Sequence, residues 1–113
     1  MNIEKEQQMS EQRVLPGQVE FRGISCSVVR TTYLNNDSPA LVLVDAEDGS
    51  SVTTASANVP GVSDSLPEGT GALKTYAENE GILQALEAAG VVEDTGERVH
   101  SRFVEFPIVR LLY

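Results

Sequence analysis

A chain of 113 residues with 41% apolar residues is long enough to bury one core and too apolar to stay unfolded as a whole. Seventeen acidic against eight basic residues leave a formal charge of −9, which excludes direct binding to a nucleic-acid backbone because nothing offsets the repulsion. A lone cysteine excludes an intramolecular disulfide, and no apolar run reads as a signal peptide or a membrane span. The expected setting is a soluble protein in a reducing compartment, with no membrane partner.

The first stretch, MNIEKEQQMSEQR, is polar throughout, and Met9 within it offers an alternative start. Residues 1–17 are expected to form a flexible leader, followed by a single domain over residues 18–113. From Val19 the pattern turns to strands. Val19-Glu20-Phe21 alternates, Arg22-Gly23 reads as a tight turn, and Ile24, Cys26 and Val28 share one face of a second strand. Residues 33–39, YLNNDSP, are dense in turn formers. Residues 40–46, ALVLVDA, are apolar on both faces, as expected near a sheet centre. Glu47-Asp48-Gly49 marks a hairpin turn. Residues 50–59 form a strand of small side chains, suited to an edge or to close approach by another backbone.

Residues 60–75 carry two prolines and three glycines, and read as the longest irregular connection. In KTYAENEGILQALEAAGVV (residues 74–92) Asn79 is the expected helix cap, with Glu78 and Glu80 beside it. Ile82, Leu83 and Leu86 form the apolar stripe, and Gly90 supplies a left-handed stop onto which Val91 folds back. Residues 93–101 read as a polar turn region and residues 103–112 as the last strand, with Pro107 at a bulge or with its missing N–H facing away from a neighbour. The expected fold is α+β: an antiparallel sheet of about five strands with one amphipathic helix on one face.

Little in the chain suggests catalysis. Cys26 falls at a core position of a strand, and a thiol–imidazole pair requires it to meet His100, the single histidine, across the fold. No phosphate loop or nucleophile elbow is present, so no enzyme activity and no cofactor are expected. Carboxylates gather at Asp45, Glu47 and Asp48, and again at Glu93, Asp94 and Glu97. Their spacing fits no dedicated calcium loop, and no metal is expected there. Turn and helix-exit solvation is one reading of them; a binding surface for a basic partner is the other.

Several short runs, taken together, resemble a known group. They are Leu43-Val44-Asp45, Asp48-Gly49, Asn58-Val59-Pro60, Lys74-Thr75-Tyr76, Glu78-Asn79-Glu80-Gly81, Ala89-Gly90-Val91 and Phe103-Val104-Glu105-Phe106-Pro107. The set resembles a family of small, acidic, uncharacterised proteins encoded by bacteriophages, plasmids and integrative elements. The likeness spans roughly residues 19–112, and K-x-Y-x-E-N-E-G is its most specific part. It implies a bacterial host cytoplasm and a non-catalytic accessory role: binding a host protein, such as a CRISPR or restriction component, and inhibiting or modulating it. It carries no catalytic residues.

Two functions are therefore expected to compete. One is an inhibitor whose acidic surface occupies the basic groove of a nucleic-acid-handling protein. The other is an assembly accessory that forms a homo-oligomer, a homodimer in its simplest form, through residues 50–59 or 103–112. For stability, removal of residues 1–13 is expected to be nearly neutral, Leu86→Ala to cost ~2–5 kcal/mol, and Leu43→Asp to cost more.

Overall fold

The computed structural model describes residues 12–34 and 36–113. Its strands are β1 (Arg13–Val14), β2 (Val19–Phe21), β3 (Ile24–Thr32), β4 (Pro39–Asp45), β5 (Ser51–Thr54), β6 (Ser56–Ala57), β7 (Thr70–Leu73), β8 (Val92–Ser101) and β9 (Val104–Leu111). One α-helix, α1 (Ile82–Ala88), stands between β7 and β8. Every strand pairing is antiparallel, so the fold is α+β, mostly sheet with one short helix.

The strands form two sheets rather than one of about five strands. The first runs β1-β3-β4-β5 with β2 also on β3; the second runs β6-β7-β9-β8. Residues 50–59 explain the difference. Ala55 is fully buried, donates to Leu41 O and accepts from Lys74 N–H, so the extended chain leaves the first sheet there and enters the second. Ser56 Oγ completes the crossing by accepting the Leu41 N–H at 2.9 Å.

Strand alternation places Cys26, Val28, Leu41 and Leu43 on the inner face of the first sheet, against Leu73 and Val109 of the second. The helix seals this core with Ile82, Leu83 and Leu86, packing on β2 and β8. The opposite face of the second sheet has a smaller core of Ala72, Phe106 and Ile108, closed by Val59 and flanked by Val62 and Leu66.

The helix stops as its sequence dictates. Gly90 at φ 75° donates to Glu87 O, and Val91 N–H reaches Leu86 O, which together form a Schellman motif. Its start differs from the expected one. Gly81, at φ 89°, is the N-cap, and residues 77–79 form a 3₁₀ turn ahead of it. Asn79 does not cap. It is fully buried, with Nδ2 donating to Thr54 O at 2.8 Å and Oδ1 accepting from Thr53 Oγ1 at 2.6 Å. A cross-link to β5 satisfies the amide on both sides, and that outweighs a local cap.

Three more segments depart from expectation. Residues 70–73 lie inside the expected loop but form β7, because the short T-G-A-L run pairs on both sides with β6 and β9. Residues 93–101 are not a turn region; they belong to the ten-residue β8, an edge strand whose outward charges water tolerates. The expected leader, residues 1–17, includes Arg13 and Val14 paired with Arg30 and Val29, and Leu15, which is 5% exposed in the main core. Residues 1–11 of it lie outside the described residues. A cut through Leu15 therefore removes core.

Pro107 lies opposite Arg98, directly after a shift in which Asp94 faces Val109 and three residues intervene before Arg98. Its position beside that bulge matches the sequence reading.

Candidate functional site

The two expected acidic groups occupy different sheets and do different work. Asp45, Glu47 and Asp48 sit where β4 turns into β5. Asp45 Oδ1 accepts the Glu47 N–H at 2.8 Å, and Asp48 Oδ1 accepts both the N–H and the hydroxyl of Ser50, at 2.9 and 2.7 Å. These are side-chain-to-backbone bonds of a tight turn. They hold the Asp48 carboxyl below the usual Asp value, the Ser50 amide contributing most. This group is accounted for by the turn itself.

On β8 the sequence neighbours Glu93 and Asp94 point to opposite faces, because side chains alternate along a strand. Glu93 faces Arg110 of β9, with Oε1 3.3 Å from Nη1. Asp94 takes Arg98 in a two-pronged pair, Oδ1–Nη1 and Oδ2–Nη2 both at 2.9 Å. The bulge makes that pair possible by bringing residues 94 and 98 together. Thr95 Oγ1 donates to Ile108 O, Gly96 N–H donates to Asp94, and Glu97 is left exposed at the apex. The Arg98 bond is the largest cause lowering the Asp94 carboxyl, with the Gly96 amide second.

Arg98 also lines a cleft of ≈ 400 Å³ with Glu80 and Gly81 ahead of α1, Leu83 and Gln84 on it, and Glu105 on β9. Its guanidinium is held more firmly protonated by Asp94 first, then by the charges of Glu105 and Glu87. The carboxylates of Asp94, Glu105 and Glu87 thus act on a single arginine, Glu80 lines the same cleft, and Glu97 contributes its backbone carbonyl, which accepts from Arg98 Nη1 at 2.9 Å. Of these, Glu80, Glu87 and Glu105 are not apparent from the sequence as members of a site. Their positions ahead of α1, on α1 and on β9 become neighbours of β8 only through tertiary packing.

The K-x-Y-x-E-N-E-G segment forms one wall of this cleft, and its shape depends on Ala77. Ala77 adopts φ 56°, a conformation an L-residue disfavours by roughly 1–2 kcal/mol. It is held there by Asn79, by Arg22 Nη1 donating to Glu78 O at 3.1 Å, and by the Lys74–Glu78 ion pair at 2.7 Å. Tyr76 packs edge-on against Phe106 at 6.1 Å, and Lys74 Nζ lies 5.3 Å from the Tyr76 ring centre. The expected Lys74–Glu78 pairing is present.

Cys26 and His100 do not meet. The Cys26 thiol is fully buried in the first sheet, points at Ile24 O, and is pushed up by burial and then by Asp45 and Glu20. His100 is exposed on β8, with Nε2 3.0 Å from Glu105 Oε2. A buried, protonated thiol lacking a base is a core group. No group of three or more potential metal ligands gathers among the described residues, and no described helix is long and apolar enough to cross a membrane. Compared with protein-family models, curated proteins and solved structures, the chain shows no match.

Proposed function

We propose that this chain is a non-catalytic accessory protein of a phage or other mobile element that binds a host protein through the acidic face around Arg98. Binding inhibits or modulates the partner. The partner chemistry that fits is a basic surface built for nucleic acid, such as a CRISPR or restriction complex in the bacterial cytoplasm. The observation that supports this reading is the grouping of Glu80, Glu87, Asp94 and Glu105 about one guanidinium, with Glu97 exposed next to it in the chain. Asp94 is fixed by its two-pronged pair, and a charge array already held in place loses less entropy on docking.

Affinity capture from bacterial host lysate tests it. A partner retained at low salt should be released at ~0.5 M salt, where the Debye length falls to a few ångströms. It should also be lost with the Glu87→Gln/Glu97→Gln/Glu105→Gln variant, which keeps the Asp94–Arg98 pair. Equal capture by the variant, or no capture at low salt, rejects the proposal.

One observation favours the homo-oligomer reading instead. Val14, Val29, Val42 and Thr54 are in register across β1, β3, β4 and β5 on the outer face of the first sheet, with Ser27 and Val44 in the next row. No charged side chain stands in those rows, so two copies of a −9 chain meet there with least repulsion. Within residues 103–112, β9 is interior to its sheet, so for this reading it offers a sheet face and no free edge. Native mass spectrometry decides: a dimer dissociated by Val42→Asp supports it, and a monomer at micromolar concentration removes it.

A further inference from the structure

At the open end of the space between the sheets lies a second cleft, of ≈ 380 Å³, walled by Arg30 and Thr32 of β3, the loop before β4 and the segment entering β7. Cys26, Val28 and Arg30 occupy one face of β3, and the first two are buried in the core. Arg30 therefore extends the core-facing row to the mouth, with the buried Leu41 as its cross-strand neighbour. On its other side it is in register with Arg13 of β1, which puts two guanidinium groups on the same face.

That pairing is unusual for a chain with 17 acidic residues. Among the described residues Lys74, Arg98 and Arg110 have carboxylate partners and Arg22 binds a carbonyl. Arg102, without one, is exposed beside a hairpin tip. Arg30 is the half-buried exception, and neither it nor Arg13 meets a carboxylate among the described residues. Burial, and after it the charge of Arg13, weakens the hold of Arg30 on its proton. Three other hydrogen-bonding side chains of the cleft are already engaged: Ser38 Oγ donates to Ser63 O, Thr70 Oγ1 to Pro67 O, and the Asn36 amide to Asn58. The guanidinium is left as the donor facing the cleft, and an oxyanion is the ligand that matches its fork.

We infer that this mouth binds a small oxyanion, a carboxylate or phosphate group held by Arg30 with Arg13 alongside. Asp37 and Glu68 stand exposed on the rim, so they repel extended polyanions and hold affinity for a small anion to a modest level.

Titration of the ¹⁵N-labelled chain with inorganic phosphate, and separately with acetate, against sodium chloride at equal ionic strength tests the site. Saturable amide shifts at Thr32, Ser38, Gly69 and Thr70 are expected with one or both oxyanions and not with chloride; the stronger arm identifies the class. Arg30→Gln should weaken binding by roughly tenfold or more, the scale of losing a charge-assisted pair. Glu68→Gln should tighten it by removing a rim charge. If Arg30→Gln does not fold, the Glu68→Gln arm decides alone, and unchanged affinity there overturns the inference. So does a response that chloride reproduces, or one that Arg30→Gln keeps in full.

Discussion

The acidic turn between β4 and β5 and the acidic bulge of β8 look alike in composition and behave differently in structure. In the turn, Asp45 and Asp48 bond to amides and a hydroxyl within two residues. On β8, Asp94 and Glu93 bond to guanidinium groups, one brought near by a bulge and the other by the neighbouring strand. The first arrangement closes on itself. The second assembles carboxylates from α1, β8 and β9 into a face, because edge strands leave charged side chains in water where they can gather partners. The number of acids in a segment therefore says little about whether it presents a surface; the reach of its partners says more.

The largest effects should come from removing what each region rests on. Leu43→Asp places an unpaired charge at a fully buried site of β4 and should unfold the chain outright, seen as loss of a cooperative thermal transition. Leu86→Ala should cost ~2–5 kcal/mol by opening a cavity under α1. In that variant, amide shifts around Glu80, Arg98 and Glu105 should move while those of residues 45–50 stay put. Shifts of equal size in both regions would show that the two are not independent.

A smaller effect separates the carboxylates themselves. Asp94→Asn breaks the two-pronged pair and should cost about 0.2–1 kcal/mol in urea melts, the range for ion pairs near a surface. Asp48→Asn keeps an oxygen for the Ser50 amide and should cost less than Asp94→Asn. A reversed order would mean that the turn, and not the bulge, depends on charge.

Acid titration gives the same contrast with a definite sign. Both Asp94 and Asp48 are held below the ordinary value of 3.8 in the folded chain. The stability each adds is complete above that value and is withdrawn as pH falls below it through the folded value. Stability measured by urea melts between pH 5 and 2 (about the range over which a paired Asp is protonated) should therefore decline less steeply in Asp94→Asn than in the parent. An unchanged slope would remove Asp94 from the account.

The smallest expected change is also the most discriminating. Raising salt to ~1 M, where the Debye length is about 3 Å, should bring the Asp94 titration midpoint toward its ordinary value by screening Arg98. The Asp48 midpoint should scarcely move, since Ser50 carries no charge. Carboxyl-carbon NMR reads both in one sample; parallel shifts would erase the distinction.

Sequence alone determined what local rules govern. The turn at Arg22-Gly23, the β2–β3–β4 succession, the turn before β5, the Gly90 stop and the buried Leu86 and Leu43 all follow from periodicity, turn chemistry and capping within a few residues. Other features depend on partners far along the chain: the sheet switch at Ala55, the strand formed by residues 92–101, and Asn79 as a cross-link in place of a cap. Asn79 binds Thr53, 26 residues away, and Arg110 reaches Glu93 across 17. The acidic face and the arginine mouth are of the same kind. A carboxylate or guanidinium has the same local propensity wherever it stands, and which charges become its neighbours is set only when the strands that carry them have paired and packed.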